Sequence, residues 1–365
     1  MKLLVFVGGS GKRFWPIGRN SKPKQFLKLF NNKSTFELTI ERIAPLYGLK
    51  NIYVSTVEAY VKEILDLNPD LLETNVFTEP ARRDVGPAVG LALMRLKKIG
   101  VNEPVAILWA DHYIENVTSF RKLLVQAENL VLENKHKVVL VGTTPEFPAT
   151  NLGWIQVQEL SQRSSFSNEI KLYAFKDFVY RPSLDLATKL FKNKTGLWNT
   201  AYMISTIDTL LGFYKTFYPG IYEPLEEIYK YLGTPSEKTV LAEIYPEISK
   251  VHFDHIVSYH LDPESTVVLG ADMGWSDPGT LYSYKRLFKP NKENFIQGNV
   301  FSEDVSDSLL INYESKKLVV VAFFDKVVVV NTKDALLVIP ADKVKEIGAI
   351  YDLLKHDPKF SKYIE

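Results

Sequence analysis

The sequence predicts an α/β protein in which a doubly wound, mostly parallel sheet precedes a small β-rich C-terminal domain. In the first two-thirds of the 365 residues, short apolar runs alternate with amphipathic segments. This is the pattern of strands joined by crossover helices. After the polar stretch 289–294, which contains Pro290, short apolar runs follow one another without helices. We therefore expect two domains, 1–290 and 291–365.

Each predicted strand of the first domain is a short apolar run, and each predicted helix has apolar residues three or four positions apart. The first helix, for example, is marked by Phe36, Ile40 and Ile43. In chain order the prediction is strand 3–7, helix 35–46, strand 51–55, helix 58–67, strand 76–78, helix 86–99, strand 105–109, helix 120–134, strand 137–142, strands 155–159 and 170–176, and helices 183–191, 206–217 and 222–232.

The second domain is predicted from five short apolar runs and one closing helix. The most apolar stretch, 318–330, is split by Asp325-Lys326 and is interpreted as two strands around a turn. A short β-helix stays a hypothesis here, because the hexapeptide period is weak. The predicted strands are 299–300, 309–311, 318–323, 327–331 and 335–339, and the helix is 343–354.

Composition narrows the classes of partner. Hydrophobic residues make up 46% of the chain, and the net charge is +1. With so little net charge, no overall field favours nucleic acid or a membrane, and any anion site must be a local cluster. No cysteine is present, which excludes disulfides and thiolate metal sites. The apolar run 3–7 is too short for a signal peptide, so we expect a cytoplasmic protein.

A glycine-rich loop follows the first predicted strand directly. Gly8, Gly9, Ser10 and Gly11 lead into the basic residues Lys12, Arg13, Lys22 and Lys24. Glycines let backbone N–H groups approach an anion, and fixed cations neutralise it. The segment therefore predicts a site for a phosphate chain at the carboxyl edge of the sheet, where such folds bind ligands.

Two common phosphate motifs do not fit this loop. A P-loop needs Gly-Lys-Ser/Thr, but Gly11-Lys12 is followed by Arg13. A dinucleotide fingerprint needs a third glycine at the position of Phe14, which argues against an NAD-binding oxidoreductase.

What fits is Gly-Gly-Ser-Gly-x-Arg-x-Trp-Pro followed by Pro-Lys-Gln-Phe-Leu. This compound motif resembles the signature of sugar-1-phosphate nucleotidyltransferases, and its second half is similar to the mannose-1-phosphate guanylyltransferase branch. The resemblance extends over nearly the whole chain. It implies a Rossmann-like, GT-A-like domain in which GTP and mannose 1-phosphate give GDP-mannose and pyrophosphate, with Mg²⁺ as cofactor.

The resemblance also implies roles for the charged residues. Arg13 would hold the terminal phosphates and Lys24 the α-phosphate, with Gly8, Gly9, Ser10, Gly11 and Lys12 around the nucleotide. Lys12 stands where a threonine is usual, and a solvent-facing side chain is the favoured interpretation. Asp111 and Asp277 match the metal-binding aspartates, with Asp111 counted as catalytic, while His112 is expected to be structural.

The segment 79–87 is expected to read the base. Glu79, Arg83 and Pro87 match the corresponding element of the family, whereas Asp84 replaces an asparagine. An ionised aspartate only accepts hydrogen bonds. Because guanine offers N–H donors, Asp84 remains compatible with it.

The resemblance is weakest in the sugar pocket. Gly153, Arg181, Asn199 and Asp254 match expected positions, but Tyr180 and Tyr259 replace two carboxylates. Because tyrosine is not a charged acceptor, we expect the accepted sugar to differ from mannose or to bind more weakly.

Two alternatives remain open at this stage. One is the same chemistry with another sugar 1-phosphate or base. The other is a sensor or regulatory subunit that binds a nucleotide sugar without turnover. The β-rich tail is expected to pack or to mediate self-association, for instance in a homodimer.

Overall fold

The computed structural model describes residues 1–9, 11–19, 22–30, 32–133, 136–160, 169–289 and 291–364. The strands in this part of the chain are β1 Lys2–Phe6, β2 Ile52–Val57, β3 Val76–Glu79, β4 Val105–Trp109, β5 Tyr113–Ile114, β6 Val138–Thr143, β7 Gly153–Glu159, β8 Ile170–Tyr180, β9 Gly196–Ser205, β10 Thr266–Ala271, β11 Trp275–Ser276, β12 Phe295–Gln297, β13 Val300–Ser306, β14 Leu309–Asn312, β15 Val319–Asp325, β16 Val327–Asn331 and β17 Leu336–Pro340. The α-helices are α1 Thr35–Tyr47, α2 Val61–Leu67, α3 Val85–Lys98, α4 Val117–Leu132, α5 Leu184–Lys192, α6 Ile207–Phe217, α7 Pro219–Tyr231, α8 Glu237–Ile244, α9 Phe253–Ile256, α10 Leu281–Phe288 and α11 Ile347–His356.

The chain forms two compact units whose limits differ from the predicted domains. The first comprises Met1–Gly8, Thr39–Ala110 and Ile114–Trp275, and the second Gly9–Leu38, Asp111–Tyr113 and Ser276–Glu365. The predicted division at 290 therefore differs from the observed one, in which Gly9–Leu38 groups with the C-terminal tail. The cause is long-range packing, since apolar residues after the loop share one core with the tail: Phe14, Trp15, Leu27, Leu309 and Val330.

The first unit contains a sheet of nine strands in the order β3-β2-β1-β4-β9-β6-β10-β8-β7. Parallel pairing joins β3, β2, β1 and β4, and also β6 and β10. Strands β7, β8 and β9 pair antiparallel to their neighbours. The prediction of a mostly parallel sheet is thus wrong for this half. An apolar run does not encode strand direction, which depends on the connections.

Helix α3 forms much of the core beneath this sheet. Its residues from Gly86 to Met94 are all buried, as is Leu96. Gly86 packs directly on the backbone of residue 251: its amide donates to the carbonyl of Val251 at 2.9 Å, and an added Cβ would lie 2.4 Å from that oxygen. Only glycine permits this approach, so the start of α3 is held against the segment before α9.

In the second unit, the tail strands stack in parallel. Strands β12, β14 and β16 form one parallel stack, to which β17 adds antiparallel, and β13 pairs in parallel with β15. Two strands do occupy this stretch, as predicted, but β15 includes Asp325 and only Lys326 separates it from β16. They do not form a hairpin, however, because β15 and β16 lie in different sheets.

Several elements were not predicted. The segment 196–203 is part of strand β9, and neither it nor α8, α9, β10 and α10 was assigned. The predicted helix 343–354 begins as a 3-10 helix at Ala341–Glu346 and continues as α11. Among the described residues, no helix has the length and apolar character needed to span a bilayer.

Candidate active site

Three residues of the second unit that are distant in sequence meet at one ammonium group. The Nζ atom of Lys24 lies 2.9 Å from Oδ1 of Asp277 and 3.1 Å from Oδ2 of Asp111. The lysine side chain is 11% exposed, while the two aspartates are 39% and 38% exposed. The ammonium group of Lys24 thus lies between two carboxylates that are exposed enough to bind a ligand. The structure thus brings together Asp111 and Asp277, the two residues that the sequence analysis predicts as metal ligands.

The pKa values follow from this contact. Burial by itself raises the pKa of the Asp111 carboxyl, but the charges of Lys24 and His112 outweigh it and hold the pKa at about 2. Burial lowers the pKa of the Lys24 ammonium, yet the two aspartates reverse this and raise it above its usual value. Asp111 and Lys24 are therefore both charged at neutral pH. His112 is buried, with Nε2 3.9 Å from Asp111 Oδ1, as expected for a structural histidine.

The glycine-rich loop positions Lys24 through a close backbone contact. Gly11 has a φ angle of +65°, and an added Cβ would lie 2.8 Å from the backbone nitrogen of Lys24. Both features require glycine. On the other side, the Lys24 ammonium lies 5.9 Å from the centre of the Phe14 ring, a buried residue of the 3-10 helix Lys12–Phe14.

The other predicted phosphate ligands differ in availability. Arg13 is exposed and has no hydrogen-bond or ion-pair partner in the described part of the chain, so its guanidinium can receive an anion. Lys12, predicted to lie near the nucleotide, instead forms an ion pair with Asp352 of α11, with Nζ and Oδ2 2.7 Å apart. Its positive charge therefore already has a partner within the protein. Gly8 and Gly9 are exposed. Ser10 lies outside the described residues.

Asp111 and Asp277 fit a divalent cation of the magnesium type. Mg²⁺ is commonly held by one or two carboxylates, with substrate phosphates and waters as its remaining ligands. No cluster of three or more histidine, cysteine, aspartate or glutamate side chains suited to a metal occurs among the residues described. The donor set therefore suits an ion that arrives with a phosphate ligand better than an ion held by protein alone.

The predicted base segment lies in the first unit, at the junction of β3 and α3. Glu79 ends β3, and Tyr245 donates a hydrogen bond to its Oε2 at 2.5 Å. Burial raises the pKa of the Glu79 carboxyl. The Nε atom of Arg83 is buried without a hydrogen-bond partner among the described residues. Asp84, at a φ angle of +67°, caps α3 by accepting from the amide of Val85 at 2.8 Å.

Tyr245 was missed by the sequence analysis. It is fully buried, and it lies 166 positions from Glu79, so no local pattern connects the two. Pro87 is buried within the first turn of α3, where proline is tolerated. The base segment thus has one carboxylate already engaged and one arginine nitrogen unsatisfied.

Most of the predicted sugar residues come together in the first unit. Gly153 pairs with Tyr180 across β7 and β8, and an added Cβ on Gly153 would lie 3.5 Å from the Asn199 Cβ. Asn199 Oδ1 accepts from the amide of Ala201 at 3.0 Å. The guanidinium of Arg181 lies 4.9 Å from the centre of the Tyr180 ring. Tyr259 packs edge-on against Phe178, with ring centres 5.3 Å apart.

Asp254, predicted to contact the sugar, already has partners within the protein. Its side chain is only 12% exposed, and both carboxylate oxygens are engaged. Oδ1 accepts from the Ser258 hydroxyl at 2.6 Å, and Oδ2 lies 3.3 Å from Nδ1 of His252. The exposed member of this pair is His252, which the sequence analysis did not identify. Its side chain is 46% exposed, and its ring centre lies 6.4 Å from that of Tyr180.

A cavity of about 800 Å³ in the first unit involves none of the predicted site residues. Three lysines and three acidic residues line it, so it carries no net charge to attract a phosphate: Lys171, Lys192, Lys194, Glu159, Glu169 and Asp272.

The second unit has the ammonium of Lys24 between two exposed carboxylates, beside a glycine-rich loop. The first unit has the segments that the sequence analysis predicts to bind the base and the sugar. The chain belongs to the Nucleotidyl transferase family, whose match covers residues 2–293.

Its relatives are consistent with this assignment. The chain is 27% identical to the mannose-1-phosphate guanylyltransferase RfbM of Salmonella typhimurium, over 98% of this chain and 73% of that protein. It is 28% identical to a mannose-1-phosphate guanylyltransferase of Escherichia coli, over 98% and 74% respectively. A solved structure described as a mannose-1-phosphate geranyltransferase from Thermus thermophilus matches with a TM-score of 0.82 and 26% identity, covering 97% of this chain and 99% of that one.

Proposed function

We propose that this chain transfers a guanylyl group from GTP to mannose 1-phosphate, giving GDP-mannose and pyrophosphate. The observation that carries the proposal is the position of Lys24 between Asp111 and Asp277, at 3.1 and 2.9 Å. A lysine and two open carboxylates at one point are what a reacting triphosphate with a divalent cation requires. The names of the relatives support mannose as the sugar and guanine as the base.

In this reaction an oxygen of the acceptor phosphate forms a bond to the α-phosphorus. The bond from that phosphorus to the bridging oxygen of the β-phosphate breaks, and pyrophosphate leaves with the electron pair. The acceptor is already an anion, so no general base is needed. Catalysis then depends on holding the two reactants in line and on neutralising charge.

The charged residues of the second unit would do this work. Arg13 is free to bind the terminal phosphates with a two-pronged contact. Lys24 would exchange one aspartate contact for the α-phosphate, while Asp111 and Asp277 would hold Mg²⁺. That ion, when bound, neutralises phosphate oxygens and the charge of the departing pyrophosphate.

The first unit would select the base and the sugar. Glu79 accepts hydrogen bonds, as guanine N–H groups require, and the unsatisfied Nε of Arg83 is a donor for a carbonyl or phosphate oxygen. Tyr180 and Tyr259 are 42% and 49% exposed, so their rings are open to the apolar face of a sugar. The missing carboxylates are the reason to expect weaker selection of mannose.

Two further proposals concern the surroundings of the site. We infer a GT-A-like catalytic fold and, for the tail, a short β-helix, because β12, β14 and β16 stack in parallel and Asn331 donates to Asn312 between neighbouring strands at 2.8 Å. We also infer a cytoplasmic enzyme, with self-association of the tail as a homodimer. Exposed apolar side chains on β13 and β15, including Phe301 and Val320, support that contact.

A sensor that binds nucleotide sugars without turnover is the second candidate. It is favoured by Lys24 itself, since the ammonium contacts both carboxylates and offsets one of their two negative charges. The same chemistry with another sugar or base is the third.

One assay separates these candidates. The protein is incubated with each NTP, Mg²⁺ and a panel of sugar 1-phosphates, and pyrophosphate release is measured. We expect the highest rate with GTP and mannose 1-phosphate. Asp111→Asn and Asp277→Asn should abolish release, whereas the exposed control Asp70→Asn should not. Release by either site variant at the unmodified rate contradicts the metal assignment, and no release with any pair supports the sensor.

A further inference from the structure

His252 lies beside Tyr180, with ring centres 6.4 Å apart, although no part of the proposed reaction requires it. It precedes α9, and its neighbour Val251 accepts a hydrogen bond from Gly86 at 2.9 Å. The segment that carries His252 is therefore packed against the start of α3, which follows the predicted base segment.

His252 is held at its Nδ1 atom, and its Nε2 atom is left available to a ligand. The mostly buried Asp254 carboxylate lies 3.3 Å from Nδ1 and has no other cationic partner in the described part of the chain. The Asp254 backbone amide donates a hydrogen bond to the same nitrogen at 3.4 Å. No hydrogen bond to Nε2 is made by the residues described, and 46% of the side chain is exposed. The imidazole is thus anchored through one nitrogen and presents the other to a ligand.

The charges around the ring favour the protonated form. From its own helix, the hydrogen bond to Asp254 raises the pKa of His252, and from the β3–α3 junction Asp84 adds to this effect. Burial and the positive charge of Arg181, which follows β8, act in the opposite direction without reversing it. Tyr180, whose ring centre lies 6.4 Å from that of His252, and His255, whose ring packs on Tyr259, are further titratable groups on this side.

We propose that His252, together with Arg181, binds the phosphate attached to the sugar. This inference rests on the proposed function and assigns a ligand contact to its acceptor site. The site would then recognise its ligand through two cations and the faces of Tyr180 and Tyr259. Recognition by phosphate and ring face makes the protein tolerant of changes in the sugar hydroxyls, so several hexose 1-phosphates should be accepted with similar KM.

The product provides the cleanest probe of this contact. The phosphate of a sugar 1-phosphate gains a proton near pH 6, which would obscure titration of a histidine. The bridged phosphates of GDP-mannose have no such proton. Its affinity is therefore measured by titration calorimetry on the full chain at pH 6.0 and pH 8.5. In the unmodified protein we expect the affinity to fall about three- to tenfold at the higher pH, the usual size of a partly exposed charge-assisted contact.

Three variants test whether His252 is responsible. His252→Gln should bind GDP-mannose weakly at both pH values, and His252→Lys, which keeps a positive charge, should bind with similar affinity at both. His255→Gln is the matched control, since His255 is exposed on the same helix with its ring against Tyr259, and it should behave like the unmodified protein. Circular dichroism verifies that each variant is folded.

The outcomes distinguish this inference from the proposed function. If His252→Gln retains the pH dependence of the unmodified protein, or if that protein shows none, the role of His252 is refuted. Pyrophosphate release by the unmodified protein is scored separately. If the unmodified protein releases pyrophosphate, and the affinity of His252→Gln for GDP-mannose keeps the pH dependence of the unmodified protein, only the role of His252 is refuted. If the pH dependence of GDP-mannose affinity is lost in His252→Gln, but the unmodified protein releases no pyrophosphate, only the proposed enzymatic activity is refuted.

Discussion

Replacement of Lys24 by methionine should strengthen the binding of a divalent cation while it abolishes catalysis. The two carboxylate oxygens that contact Nζ at 3.1 and 2.9 Å lie no more than 6.0 Å apart, the sum of the two distances. Two unit charges at this separation repel each other by about 3 kcal/mol at an effective dielectric constant of about 20. In the unmodified protein the ammonium of Lys24 offsets this repulsion. In Lys24→Met only a bound metal ion would offset it.

Solvent reduces this figure, because the two aspartates are 39% and 38% exposed. With screening we estimate about 1–2 kcal/mol, which corresponds to roughly a tenfold increase in metal affinity. In Lys24→Met the incoming ion also has no ammonium group to displace, and this further increases the metal affinity. The α-phosphate would lose its cation, so we expect the pyrophosphate release rate to fall by about a factor of 10³.

The assay is a titration with Mn²⁺ in which the signal of the free ion is followed by electron paramagnetic resonance, without nucleotide. Lys22→Met is the matched control, since Lys22 is exposed in the same segment. Lys24→Met combined with Asp277→Asn should lose the gain, because one of the two carboxylates is gone. Equal or weaker Mn²⁺ binding by folded Lys24→Met would refute the electrostatic reasoning and with it the shared metal site.

Three other predictions follow from the same geometry. Gly11→Ala should lower kcat by a factor of about 10², because the new Cβ would push Lys24 away from Asp111 and Asp277. The melting temperature of the variant should stay within a few degrees of that of the unmodified protein. A normal kcat would show that the loop does not position the lysine. Asp111→Asn should reduce stability at neutral pH by roughly 1 kcal/mol after allowance for solvent screening. The folded-state pKa of about 2 lies below the ordinary value of 3.8, so this contribution is present above pH 3.8 and disappears as the pH falls through 2; melting temperatures of Asp111→Asn and the unmodified protein should converge from pH 5 to pH 2, and a constant difference would be inconsistent with the ion pair. Tyr180→Glu should increase kcat/KM for mannose 1-phosphate relative to other hexose 1-phosphates by about fivefold, since a carboxylate accepts strong hydrogen bonds from hydroxyls; Tyr180→Phe serves as the control, and an unchanged ratio would remove Tyr180 from sugar selection.

The sequence was informative where chemistry is local. A glycine run followed by basic residues indicates a phosphate site whatever surrounds it, because close backbone approach and fixed charge are properties of a short segment. The alternation of strands and helices in the first part of the chain was predicted for the same reason, and strand β4 was placed at its observed bounds. These features depend on residues within one or two turns of each other.

Other features depended on which distant segments meet. The sheet is parallel on one side and antiparallel on the other, and β15 and β16 separate into two sheets. Asp254 fitted a ligand pattern in the sequence, yet Ser258 and His252 occupy its oxygens. The sequence pattern does not show whether a carboxylate already has a hydrogen-bond partner, because tertiary packing determines which residues lie next to it.

The amino-acid sequence by itself determined the class of chemistry, since the loop from Gly8 to Arg13 and the basic residues after it suit phosphate in any fold. Only the tertiary structure decided that Lys24 is shared between Asp111 and Asp277, the latter 253 positions away, and that His252 rather than Asp254 is exposed to a ligand. The physical reason is that an ion pair or a buried hydrogen bond depends on distance in space, and chain folding brings together charges that no local pattern connects.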